Sequence, residues 1–133
     1  MKVELFAVAD YAANQGGKLT IVGVFDTLYA AKLPVVQPSC SIVVKLRFEK
    51  IEEGSKQIRV NLSDMDGKTV LPSIDMPIEV QMGDDQHTCT RDFVANISGV
   101  KFETYGEYSF DLAIDGRYES SIPLFVRKLP EKS

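Results

Sequence analysis

The sequence predicts an all-β fold, a Greek-key β-sandwich of immunoglobulin-like type with eight to nine mainly antiparallel strands. Three observations carry this. In Gly106–Ile114, Tyr108, Phe110, Leu112 and Ile114 alternate with Glu107, Ser109, Asp111 and Ala113, the period of a strand with one buried face. Turn signals recur about every ten residues. No stretch sustains a helical period. A closed barrel is the main competing architecture.

Taken in order, Val3–Ala9 reads as a first strand whose run Leu5-Phe6-Ala7-Val8-Ala9 suggests burial on both faces. Asp10–Gly17 reads as a loop ending in the turn signal Asn14-Gln15-Gly16-Gly17. Lys18–Ala30 is too long for one typical strand, and Gly23 is its natural bend, so it reads as one bent strand or two that change sheets there. Ala31–Ser39, with Pro34 and Pro38, reads as an extended connection.

Cys40–Phe48 alternates again, and Glu49–Ser55 reads as a charged hairpin loop leading to Gln57–Ser63. Asp64-Met65-Asp66-Gly67 reads as a turn: its glycine falls too early for a calcium loop. Pro72 and Pro77 bracket an irregular stretch before Ile78–Val80, which suggests an edge strand or a crossing between sheets. His87–Ile97 is a strand ended by Ser98-Gly99. Asp115-Gly116 supplies the positive φ angles of a tight hairpin turn, and Tyr118–Val126 returns. Tyr108, in a Gly-x-Tyr step opening a late strand, has the position of a tyrosine corner, whose hydroxyl reaches back to upstream backbone.

One domain over residues 1–133 is expected, with 128–133 as a frayed tail. The apolar share of 44% is enough for a core without staples, and the net charge of −4 argues against nucleic acid as a partner. A small basic group, Lys45, Arg47, Lys50, Lys56 and Arg59, is offset by Glu49, Glu52 and Glu53. No secretory leader or membrane span is read, and Cys40 and Cys89 suit a reducing compartment, so a cytoplasmic protein with no membrane partner is expected.

The blocks Ala9-Asp10-Tyr11-Ala12 and Gly17-Lys18-Leu19-Thr20-Ile21-Val22-Gly23-Val24-Phe25-Asp26, then Pro34 and the Gly106-Glu107-Tyr108 hairpin, are where the chain resembles a family of small bacterial proteins known only as a domain of unknown function. The resemblance implies a single sandwich domain. It brings no activity, cofactor or site residue.

Catalytic signals are absent from the sequence: there is no phosphate loop and no nucleophile with an evident base, so the reading leans away from an enzyme and names no cofactor. His87 and Cys89 form a His-x-Cys pair with zinc-binding chemistry but lack further ligands, except Cys40, Asp84 or Asp85. Asp10 and Asp26 interrupt apolar runs. A lone buried carboxylate is costly, so each is expected to be exposed, paired or capping a turn. With Tyr11 and Tyr29 they are the candidate recognition surface. The leading expectation is a non-catalytic binding or assembly module acting through loops or an open sheet edge, its partner another protein or a second copy in a homodimer. The alternative is a small-ligand or metal-binding domain, or an enzyme, at His87 and Cys89.

Overall fold

Nine strands form two sheets in the computed structural model, which describes residues 1–130. They are β1 (Lys2–Gln15), β2 (Lys18–Val24), β3 (Thr27–Ala30), β4 (Val35–Glu49), β5 (Gly54–Asp64), β6 (Thr69–Val80), β7 (Thr88–Phe102), β8 (Gly106–Ile114) and β9 (Arg117–Lys128). One sheet has the order β2-β1-β4-β7, the other β3-β9-β8-β5-β6. Only β3 and β9 run parallel; every other pairing is antiparallel. The expected tail beyond residue 130 lies outside the described residues, and β9 continues through Lys128.

The period-two pattern decides what is buried. Ile42, Val44, Leu46 and Phe48 of β4 meet Ile58, Val60 and Leu62 of β5 and Phe110, Leu112 and Ile114 of β8 in one core between the sheets. Tyr108 closes the core at one end. Its hydroxyl donates to the Thr104 carbonyl at 2.8 Å, and its ring meets Phe102 edge-on with centroids 4.9 Å apart. This is the tyrosine corner that the Gly-x-Tyr step predicts. Asp115 and Gly116 take φ of 50° and 80°, as a two-residue hairpin turn requires.

Five expectations need correction. Asp10 does not end the first strand. β1 runs on to Gln15 and pairs with β2, because beyond Ala9 it leaves β4 and needs no apolar alternation to fill a core. Pro38 does not keep β4 from forming. It falls opposite Gly99, at a position without a ladder pair, and neither Ser98 nor Gly99 ends β7. Glu49–Ser55 is not a hairpin loop: it carries the chain from one sheet to the other, since β4 and β5 are not neighbours. Pro72–Pro77 is not irregular. β6 is a continuous strand at the edge of its sheet, where proline's missing N–H costs no ladder bond, and Pro72 lies at a register shift.

The long segment Lys18–Ala30 divides in two and changes sheets. Gly23 takes φ of +73°, Phe25 still donates its N–H to the Val8 carbonyl of β1, and the Asp26 carbonyl then accepts from Phe125 of β9. The opposite side of the molecule is latched by Arg91 of β7. Its guanidinium donates to the carbonyls of Glu79 and Gln81 at the end of β6, at 3.1 and 3.3 Å.

Candidate functional site

The β1–β2 hairpin is built by Gly16 and Gly17, with φ of 60° and 80°, which set Gln15 against Lys18 across a tight turn. From Tyr11 to Gln15, β1 has β2 as its only partner. Ala9 faces Val24, Tyr11 faces Val22, Ala12 faces Ile21 and Asn14 faces Leu19.

Alternation assigns the faces. Val8 belongs to the core, so Ala7, Ala9 and Tyr11 turn outward, together with Ser41 and Val43 of β4 and Val94 of β7. On this outward face Ala9 and Val43 are fully buried by their neighbours, while Tyr11, Val22 and Val24 are 51, 54 and 65% exposed. The hairpin's other face carries Ala12, Leu19 and Ile21. Leu19 and Ile21 are half-buried but lie outside the residues packed on the core. Each side of the hairpin thus carries apolar side chains beside polar ones, with Ala12 buried and with Tyr11, Val22 and Val24 the exposed apolar group.

Polar groups on the outward face are few. The Ser41 hydroxyl donates to Asn96 Oδ1 at 2.6 Å. Lys45 lies 3.6 Å from Asp92, whose buried Oδ1 accepts no hydrogen bond. The outward face of the five-stranded sheet is the contrast, with Arg59, Asn61, Ser63, Ser109, Asp111 and Ser121 in register across three strands.

The structure divides the candidate recognition residues. Asp10 and Tyr11 lie on β1. Asp10 is exposed and packs over Gly23, where a Cβ would come 2.5 Å from its Oδ2. Asp26 sits at the crossover and accepts from the Thr27 hydroxyl at 2.8 Å. Tyr29 is 57% exposed on β3, beside Arg127 of β9, so it belongs to the other sheet. Arg127 itself lies 4.7 Å over the Phe125 ring. The Val22 side chain, which belongs with Tyr11 and Val24, was missed by sequence reasoning. The signal was present: the segment Ile21-Val22-Gly23-Val24 has no polar side.

His87 precedes β7 rather than lying in it, and its carbonyl accepts from Lys50 N–H. It is exposed, whereas Cys89 is buried opposite Phe48. His87 therefore lies just outside the strand that carries Cys89. Cys40 and Cys89 do sit on paired strands, but Cys40 faces Ile97, eight positions along β4 from the Phe48–Cys89 pair. That is about 26 Å of strand, so the two thiols are apart and both free. Burial, and after it the Asp10 carboxylate, pushes the Cys40 thiol up to about 11. Among the described residues no three His, Cys, Asp or Glu side chains are grouped to hold a metal.

The Asp64–Asp66 turn is a backbone device. Asp64 Oδ1 accepts the N–H groups of Asp66 and Lys68, both at 2.9 Å. A cleft of about 290 Å³ lies beside it, lined by Lys68, Lys101, Glu103 and Tyr108, but Lys101 pairs with Glu103 and Tyr108 is spent on its corner. The basic group is dispersed too, because β4 and β5 belong to different sheets. Arg47 pairs with Glu4 and Arg59 with Asp75, each at 2.7 Å, and these guanidinium groups hold both carboxyls below their ordinary range.

Residues 4–127 match the family of unknown function DUF6941. The chain belongs to DUF6941. No curated protein matches this DUF6941 chain. Among solved structures it is similar to β-glucosidase from Listeria innocua, crystallised with isofagomine, at a TM-score of 0.51 and 11% identity. The likeness covers 94% of the DUF6941 chain but only 16% of the glucosidase, and at that identity it concerns the fold alone. Among the described residues no helix is long and apolar enough to cross a membrane.

Proposed function

We propose that this chain is a non-catalytic binding or assembly module that acts through the β1–β2 hairpin and the outward face of its four-stranded sheet. The observation that carries the reading is the exposed apolar group Tyr11, Val22 and Val24 on one side of the hairpin, with half-buried Leu19 and Ile21 on the other. A two-stranded ribbon alone is marginal in water, and a contiguous exposed apolar patch marks an interaction surface. Arg47 with Glu4, Arg59 with Asp75 and Lys101 with Glu103 are paired, and among the described residues no three His, Cys, Asp or Glu side chains are grouped to hold a metal.

The same reading takes the architecture as an immunoglobulin-like Greek key. What supports it is the tyrosine corner on the second-last strand, β8, and the parallel β3–β9 contact at the edge of the five-stranded sheet. Two free, buried thiols support a reducing, cytoplasmic setting.

Site-specific photo-crosslinking in the cells that make the protein tests the proposal. A photoreactive residue at Val22 is expected to give one discrete protein adduct, and the same residue at Ser121, on the polar sheet face, none. Equal and diffuse labelling from both positions would defeat it.

A further inference from the structure

We propose that the occupant of the β2 edge is a second copy of the chain, paired β2 to β2 in antiparallel fashion about a two-fold axis at Thr20. The inference rests on the interaction reading above and deepens it by naming the partner and the register.

Of the four sheet edges, three carry protection against strand addition. β6 has Pro72 and Pro77. β3 is four residues long. β7 is latched to β6 through Arg91, bears Lys101, and is irregular at Gly99, with φ of +70°. β2 has no proline, and its one charge is Lys18 at its first position.

The hydrogen-bond phase of β2 fixes the register. In a two-residue hairpin the flanking pair, Gln15 and Lys18, is a hydrogen-bonded one, and such pairs alternate along the ladder. Thr20 and Val22 therefore bond to β1, while the N–H and C=O groups of Leu19 and Ile21 point to the open edge. A two-fold at Thr20 sets Leu19 against Ile21 of the second copy and Ile21 against its Leu19, so every one of these groups is satisfied. A shift of one residue either way leaves Leu19 or carries the pairing into the kink at Gly23. Side chains agree with this choice. Leu19 and Ile21 form aliphatic cross-strand pairs on one face, and Thr20 meets Thr20 on the other, a favourable pairing. The glycines at positions 17 and 23 come opposite each other at both ends.

Charge selects the antiparallel sense. β2 begins at Lys18 and ends near Asp10, which packs on Gly23, and Asp26, which follows Val24. None of the three is in an ion pair among the described residues. Antiparallel pairing brings each Lys18 toward the acidic end of the other copy; parallel pairing would set Lys18 on Lys18. The two four-stranded sheets then become one continuous sheet, with Tyr11 and Val22 of both copies on a single apolar face.

Sedimentation of the intact chain and of two variants tests this. The wild-type protein is expected to sediment at twice 14.8 kDa. Ile21→Pro removes an outward N–H, so it is expected to sediment at the single-chain mass with its β-sheet circular dichroism kept. Thr20→Cys is expected to form an interchain disulfide under mild oxidation, because a non-hydrogen-bonded cross-strand pair has its Cα atoms about 4.5 Å apart; Ser121→Cys serves as the control. A wild-type protein that is monomeric over a wide dilution series overturns the proposal, as does Thr20→Cys cross-linking no faster than the control. A monomer that still yields a discrete adduct with another protein from Val22 overturns self-pairing and leaves the interaction reading in place. A monomer with no adduct removes both.

Discussion

Gly23 is the residue on which the change of sheets turns, and its replacement by alanine separates two physical contributions. Its φ of +73° is a region in which an L side chain costs roughly 1–2 kcal/mol. In addition, an alanine Cβ would stand 2.5 Å from Asp10 Oδ2 and 3.0 Å from its Cγ. The carboxylate is exposed and can swing away, at about 0.5–1.5 kcal/mol for an unfavourable rotamer. The Gly23→Ala variant is thus expected to lose about 2–3 kcal/mol. At about 2.1 cal/mol/K per residue, this chain unfolds with an entropy near ~280 cal/mol/K, so Tm falls by about 7–11 °C.

A double-mutant cycle apportions the loss. Asp10→Ala alone, at an exposed position, is expected to change stability by less than about 0.5 kcal/mol. Combined with Gly23→Ala it removes the collision but not the backbone strain, so the double variant recovers about 1 kcal/mol. Urea unfolding with unchanged m is the assay. A Gly23→Ala variant within about 0.5 kcal/mol of wild type would refute the strained crossover. Strict additivity would refute the Asp10 contact.

Three other outcomes are expected. Tyr108→Phe keeps the ring against Phe102 but strands the Thr104 carbonyl, and is expected to lose about 1–2 kcal/mol in urea unfolding; no loss would refute the corner's hydroxyl as a support. The raised Cys40 thiol means that the fold favours its neutral form: this contribution is whole below the ordinary value of 9.0 and is lost as pH rises through about 11. The difference in alkaline slope between wild type and Cys40→Ala measures it, and identical slopes would refute it. Arg91→Ala removes two charge-assisted bonds between the sheets, so a loss of about 1–2 kcal/mol and faster amide exchange at the end of β6 are expected; unchanged exchange there would deny the latch.

Legibility in the sequence followed the presence of a one-sided core. In β5 and β8 one face is buried and the other wet, so alternation alone named Ile58, Val60, Leu62, Tyr108, Phe110, Leu112 and Ile114 as interior. Pro72 and Pro77 gave the edge position of β6 for a physical reason, the missing donor. The reading failed where that asymmetry disappears. Asp10 looked like a terminator because an acid in an apolar run signals a strand's end, yet β1 beyond Ala9 lies off the core and tolerates it. Pro38 looked like a connector, although opposite Gly99 it falls at a gap between ladder pairs and β4 runs through it. Of the candidate site, Asp10 and Tyr11 were legible as an interruption, but Asp26 and Tyr29 were grouped with them because Asp26 also interrupts an apolar run, and the sheet change at Gly23 sends the chain to the other layer. Pairing across sheets depends on long-range contacts that a local pattern does not encode.

The two outward faces of this molecule are made by one chain under one composition, so their difference needs a cause beyond average hydrophobicity. In β8 and β5 every outward position is polar, small or charged. In β1, β2 and the middle of β4, outward positions include Leu5, Ala7, Ala9, Tyr11, Val22, Val24 and Val43 beside Thr20, Ser41 and Lys45. Scattered exposed apolar side chains are ordinary, because no surface is wholly polar. A run that is contiguous across three strands and reaches an unprotected edge is a different matter, since it exposes the chain to strand addition and aggregation. The other three edges show that this sequence has the means to avoid that hazard. That β2 lacks them is the expected condition of an edge that is occupied, and the proposed occupant, another copy of β2, brings the same open edge, the opposite charge to each end and the same apolar face.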